Sequence, residues 1–337
     1  MRFLVIIFIV LANLYIYQSV ASTGIIPAAK SNLASQSLLL GITKASAERL
    51  VAVGPRGHIL TSVDGVQWQQ ANVPIQVTLT NVYFYNESLG WAVGHDATIL
   101  QTKDGGNNWQ IQHYKPTLEK AFFDINFTDP LHGIAVGAYG LVVRTVDGGE
   151  NWRSEFHDEL LLSEDLDYLN ELKNEDEIAY IDEIAYMLPH FNRLIRHGQT
   201  MYLLGEIGLL AQSNDFGKHW QLLEPIYQGS FFDLTKTQAG HLIVAGLRGN
   251  VFRRSEKEQG WLKITTNTTA LLNDVVSADN GHIFILGNNG VLLKSTDEGK
   301  TFQLLIQDDG KALISGVWFK GKLIVASEVG IKTIDIP

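Results

Sequence analysis

Self-similarity at a spacing of about forty residues limits what this chain can fold into more than any other feature. Six segments align: Val53 to Trp68 (VGPRGHILTSVDGVQW), Val93 to Trp109, Val136 to Trp152, Leu204 to Trp220, Ala245 to Trp261 and Leu286 to Phe302. A seventh, Ala326 to Pro337, begins in the same way. The leading glycines stand at 54, 94, 137, 205, 246 and 287, so the steps are 40, 43, 68, 41 and 41. Each unit reads as four short strands. An apolar stretch comes first (Leu79 to Tyr85, Phe122 to Thr128, Phe231 to Thr237, Leu272 to Ala278, Ile314 to Lys320), then a strand ending in Val-Gly or its equivalent. A third strand runs into Asp-x-Gly, and an aromatic residue opens the fourth. Four strands per forty residues, repeated radially, make a β-propeller. The expectation is therefore an all-β, seven-bladed ring of four-stranded blades. The seventh unit stops after its third strand. The segment from about Gly24 to Gln36 is expected to supply the missing outer strand and close the ring, which removes two exposed sheet edges.

The first 21 residues read as a targeting signal. Arg2 precedes an apolar run of 15 from Phe3 to Tyr17, and Ser19-Val20-Ala21 offers the small residues that a signal peptidase needs. The run falls short of the ~20 residues that span a bilayer, so cleavage after Ala21, export to the periplasm and one propeller domain over residues 22–337 are expected. With 36 acidic and 26 basic residues the net charge is -10, which argues against a nucleic-acid partner. No cysteine is present, so there is neither a disulfide scaffold nor a lipid-anchor site.

The long step of 68 holds an insertion at residues 157–189, between blades three and four. It carries eleven acids against one base, Lys173. Leu162, Leu166, Leu169 and Leu172 recur at near-helical spacing, as do Ile178, Ile181 and Ile184, so one or two short amphipathic helices are expected over the ring. Such a segment serves either as a solvated flap packed by its own leucines or as an arm that docks a partner.

Asp64, Asp104, Asp147, Asp215 and Asp297 are each followed by glycine and then by Trp68, Trp109, Trp152, Trp220 or Phe302, with Ser or Thr two residues before the aspartate. Glycine permits positive φ there, and the carboxylate can accept backbone N–H bonds within the same turn. These turns resemble Asp-box (BNR) repeats. With Trp91-Ala-Val-Gly94, Gly133-Ile-Ala-Val-Gly137 and Gly246-Leu-Arg-Gly249, residues 38–336 are similar to the photosystem II stability/assembly factors, which are seven-bladed propellers. That resemblance implies a non-enzymatic, monomeric, protein-binding propeller with no cofactor, metal or catalytic residue, assisting a membrane protein or complex. Non-photosynthetic bacteria have exported relatives, often encoded beside membrane transporters, so a transporter is one such complex. The acidic insertion departs from the photosynthetic pattern. Asp boxes also occur in sialidases, so a carbohydrate-binding or glycoside-hydrolysing propeller is the alternative. Against hydrolysis, Asp-box turns at the rim cannot bring paired carboxylates within the roughly 5–10 Å that the reaction needs, and an Arg-Ile-Pro-like start is absent.

Binding is expected on the opposite face, at the turns between second and third strands. The positions there differ from blade to blade: Arg56, His95 with Asp96, Tyr139, Glu206 with Ile207, Arg248, Asn288 with Asn289, and Glu328. Arg56, His95, Asp96, Tyr139, Arg248 and Asn289 are the expected partner-binding set, since arginine and tyrosine suit hot spots. Arg248, Arg253 and Arg254 share a blade whose Asp box has decayed to Ser255 to Gly260. The photosystem II factors are similar in carrying an arginine-rich patch, which puts Arg248 first, while Arg253 and Arg254 alternate between faces of one strand.

Overall fold

The computed structural model describes residues 25–255 and 260–336. Seven antiparallel sheets follow one another along the chain, and within each the strands pair in sequence order. Their inner strands are Gly41–Ser46, Leu79–Phe84, Phe122–Phe127, Phe191–His197, Phe231–Lys236, Leu272–Ser277 and Leu313–Phe319. Each touches the inner strand of the next blade, and Leu313–Phe319 meets Gly41–Ser46, so the ring closes. Second strands such as Gly90–Gly94, Gly133–Gly137 and Leu242–Gly246 are buried throughout. Covered on both faces by neighbouring blades, they read as continuous apolar runs instead of alternating ones.

The glycine that ends each second strand has a steric reason. Gly54, Gly137 and Gly246 lie in extended backbone, where φ makes no demand for glycine. A Cβ at Gly94, Gly137, Gly205 or Gly246 would instead collide with the carbonyl oxygen of Thr78, Ala121, His190 or Ser230, just before the inner strand. The inner strand bulges at that point: Thr80, Phe123, Asn192, Phe232, Asn273 and Ile314 are each the extra residue between two paired positions. A bulge re-aims the side chains that follow it.

Ring closure differs from the expectation. Among the described residues the seventh blade has three strands, and residues 25–36 add none. They run instead along the outer edge of blade one, where Ala28 N–H donates to Val73 O at 3.0 Å and Lys30 Nζ to Gln70 O at 2.6 Å. A 3₁₀ turn at Ala34–Gln36 then rests against the last strand, Gly330–Ile334. Ser31 and Ser37 hydroxyls bond within this segment, and such local bonds compete with a sheet ladder. The proposed signal segment lies outside the described residues.

The insertion folds as two helices, α1 (Ser163–Glu175) and α2 (Glu177–Met187). Asp176 caps α2, its carboxylate accepting from Ile178 and Ala179 N–H at 3.0 Å each. Leu160, Leu161, Leu169 and Leu188 are buried between blades three and four with Ile134, Phe191 and Trp220, and Leu166, Tyr180, Ile184 and Met187 pack against them. The expected stripes are thus partly reassigned: Leu162, Ile178 and Ile181 face outward. His157 fastens the start of the insertion, 3.0 Å from Glu159 and 3.5 Å from Glu155, which itself pairs with Arg144 at 2.6 Å. Glu159 also accepts from Trp220 N–H in blade four. Burial disfavours charge on His157, but the two carboxylates outweigh it and raise its pKa above the ordinary 6.5. A raised imidazole stabilises the fold fully below about pH 6.5 and loses that contribution as pH climbs through the folded value. His157→Gln is therefore expected to lower the urea midpoint most below pH 6.5, with the difference from wild type shrinking in alkaline buffer; a pH-independent difference would refute this.

Candidate functional site

Five Asp-box turns share one geometry. The Ser or Thr hydroxyl donates to the aspartate Oδ1 at 2.7–3.0 Å and accepts from a glycine N–H at 2.8–3.0 Å. The carboxylate accepts further N–H bonds from residues two to four positions on, as from Val66 and Gln67 to Asp64. Bonds from the Asn151 side chain and backbone, with the Thr145 hydroxyl, hold Asp147 down to about 2. Trp68 and Trp109 close the turn through Nε1 to Gly65 and Gly106 carbonyls. These carboxylates are committed to their own corners, each between the two outermost strands of its blade. Residues 256–259 of the decayed fifth box lie outside the described residues.

At the opposite end of the blades, six second-to-third strand turns are also alike. Arg56, Asp96, Tyr139, Ile207, Arg248 and Asn289 all take φ between 51° and 59°. Each is followed by glycine, or by Ala97 in blade two, and is closed by a backbone bond such as His58 N–H to Pro55 O at 3.1 Å. This is a type I′ turn, whose first central position favours Asn or Gly. Holding Arg or Tyr in the left-handed region costs on the order of 1 kcal/mol per residue, which makes these side chains the part of the turn most in want of an explanation. Arg56, His95, Tyr139, Ile207, Arg248 and Asn289 are exposed, and Asp96 is half-buried.

The expected set does not gather into one patch. Arg56 and Arg248 stand on blades one and five, with blades six and seven between them. Arg253 is buried, its Nε donating to Glu298 O, and it belongs to the strand body with Arg254. Tyr139 alone sits in a cluster. Its ring lies 4.4 Å from His190 and 5.3 Å from Tyr186 of α2. His190 also meets Phe123, the bulged residue of blade three, at 5.7 Å. Lys120 Nζ donates to Ala185 O at the end of α2 and lies 4.8 Å from the Tyr186 ring centre. An aromatic track thus leads from the channel mouth, across the blade-three turn, onto the insertion.

The channel holds what sequence reading missed. Its mouth on this face, about 270 Å³, is lined by Leu40 and by the bulged Thr80, Phe123, Phe232, Asn273 and Ile314. Arg193 forms its floor, 3.1 Å from Asp233, 3.3 Å from Asp274 and 3.9 Å from Asp124. The three carboxylates also bridge blades: Asp124 accepts from Leu194 N–H at 2.8 Å, Asp233 from Val275 at 2.7 Å and Asp274 from Gly316 at 2.7 Å. The Asn81 side-chain amide donates to Asp124 Oδ1 at 2.8 Å, and the Ser315 hydroxyl accepts from Ile42 N–H at 3.4 Å. Burial pushes the Asp233 carboxyl upward in spite of Arg193, and raises Asp124 as well. A signal was present: Asn81, Asp124, Arg193, Asp233, Asp274 and Ser315 each stand two residues after a buried Leu or Phe at the head of an inner strand.

Fold and turns together define the class: a seven-bladed Asp-box propeller whose variable side chains surround one mouth of the channel. Its similarity is to the photosystem II assembly factors. The family model described as photosynthesis system II assembly factor YCF48 matches residues 60–120. The photosystem II assembly protein Ycf48 of Thermosynechococcus vestitus is 22% identical over 68% of this chain, which spans only 60% of that relative's length. Among solved structures, one titled "YCF48 bound to D1 peptide" superposes with TM-score 0.66 at 18% identity, covering 91% of this chain and 97% of its own. YCF48 from Cyanidioschyzon merolae gives 0.65 at 16%, covering 90% and 96%. Virginiamycin B lyase from Staphylococcus aureus gives 0.68 at 11%, covering 92% and 98%, so this ring shape also carries enzymes.

Proposed function

We propose that this chain is an exported, non-enzymatic propeller that captures a polypeptide segment on the type I′ face and so assists assembly or function of a membrane complex, a transporter being one such complex. The observation that carries the reading is the set of six left-handed turn positions, five filled with exposed Arg, Tyr, Ile or Asn and the sixth with half-buried Asp96, around an apolar and amide-lined mouth. Backbone strain kept at exposed positions fits a surface under use. A solved propeller of the same shape is described as bound to a peptide, which supports a polypeptide ligand. Arg56, His95, Asp96, Tyr139, Arg248 and Asn289 are the contacting residues in this reading.

The test is an affinity pull-down. Tagged chain recovered from the periplasmic fraction should begin at Ser22 and bring down a membrane protein. Arg56→Glu with Arg248→Glu should weaken that capture at least about tenfold, which corresponds to about 1.4 kcal/mol, while the melting temperature stays unchanged. Undiminished capture would move binding off this face, and turnover of a sialoside or β-glucan would replace the reading with the carbohydrate one.

A further inference from the structure

The insertion shows an outer face that the packing of the ring leaves uncovered. On α2, Tyr180, Ile184 and Met187 turn inward against the cluster between blades three and four. Ile178, Ile181 and Tyr186 turn outward and are 76%, 56% and 62% exposed. At 100° per residue Ile178, Ile181 and Ala185 fall within one stripe of about 60°, and Tyr186 stands beyond Asp182 on the row Ile178–Asp182–Tyr186. Tyr168 and Leu162, at 46% and 69%, add apolar surface on and beside α1. Scattered exposed aliphatics are ordinary, whereas an apolar helix stripe in water marks a contact. The stripe is held in place at its far end, where Lys120 bonds Ala185 O and Tyr186 stacks edge-on with Tyr139.

Its border decides the partner. Glu177 and Asp182 border that stripe on its two sides, with Glu183 past Tyr186, and across residues 157–189 eleven acids face a single lysine. That lysine, Lys173, is itself drawn over the Tyr180 ring at 5.3 Å. A membrane rich in anionic lipid is repelled by such a rim. A second copy would set one acidic rim against another. An apolar ridge edged with lysine or arginine satisfies both the stripe and its border.

We infer that α2 is a docking surface for a basic amphipathic helix of a partner protein, with Ile178 and Ile181 as its apolar seat, Asp182 and Glu183 as its charge filter and Tyr186 as the aromatic edge beyond Asp182. The inference deepens the polypeptide-binding reading and rests on it, adding a second and chemically distinct seat beside the type I′ turns. The aromatic track through Tyr139 joins the two seats.

Fluorescence anisotropy on the full chain tests it with three synthetic peptides: a Leu/Lys helix with one apolar face, a scrambled peptide of the same composition, and the Leu/Glu counterpart. The Leu/Lys helix should bind at least about tenfold more tightly than the other two. Ile178→Ser with Ile181→Ser should lose that tenfold at unchanged melting temperature. Asp182→Lys with Glu183→Lys should reverse the preference towards Leu/Glu. Arg56→Glu with Arg248→Glu should leave peptide binding intact, which separates failure at this seat from failure at the turns. Equal binding of ordered and scrambled peptides, indifference to the isoleucine variant, competition by lipid vesicles, or self-association abolished by the isoleucine variant would each overturn the inference.

Discussion

Arg193→Met should cost this protein about 3–5 kcal/mol, the expected price of removing one partner from a buried ionic cluster. Three carboxylates converge on Arg193 from blades three, five and six, and each is itself at most 7% exposed. Methionine keeps most of the volume and supplies no charge, so Asp124, Asp233 and Asp274 would face one another unneutralised. At ~2 °C per kcal/mol for a domain of this size the melting temperature should fall by roughly 6–10 °C. The loss carries a pH signature. Burial already raises Asp124 and Asp233, and without Arg193 they would rise further. A carboxyl with a raised folded pKa favours the fold while protonated and disfavours it as pH climbs through that value. The gap between Arg193→Met and wild type should therefore narrow in acid. Adding Asp233→Asn to the methionine variant should recover part of the stability at neutral pH. A melting temperature within about a degree of wild type would show that the cluster is not a structural hub.

Trp91→Ala should cost a similar ~3–5 kcal/mol, for a different reason. Trp91, from the second strand of blade two, is completely buried and stacks on Phe127 of blade three at 3.5 Å and 9°. Phe127 in turn meets Trp152, the residue that covers the third Asp box, edge-on at 6.0 Å. The indole Nε1 donates to Gln112, whose amide reaches Gly148 O in that same turn. Alanine thus leaves a cavity at a joint between two blades and removes one anchor of the next blade's corner. Trp91→Phe keeps the stack and should recover more than half of the loss. Equilibrium urea unfolding reads both variants, and a cost below ~1 kcal/mol for alanine would mean that the blades repack around the gap.

Turn chemistry was legible because its bonds are short in sequence. Ser62 to Asp64 and Asp64 to Gln67 are contacts of two and three residues, so residue types alone disclose them. Glycine at the end of the second strand was legible as a marker but not in its cause, since the atom it makes room for, Ala121 O in the case of Gly137, lies just before the neighbouring inner strand. The N-terminal segment misled because a missing strand invites the nearest candidate, whereas Ala28 and Lys30 find partners on blade one. Arg193 was opaque. Its partner Asp274 lies 81 residues away, and each residue taken singly is one polar side chain in an alternating strand.

The forty-residue period determined the number of blades, the position of each corner and the place of the acidic insertion, because strand pairing and turn bonds within a blade are local and repeat with the residues that make them. Only the closed ring decided that one arginine and three aspartates share a channel, that Tyr139 joins Phe123, His190 and Tyr186, and that Ile178 and Ile181 face water. Those relations depend on the angle between blades and on which helix face the neighbouring blades bury, quantities that no single repeat contains.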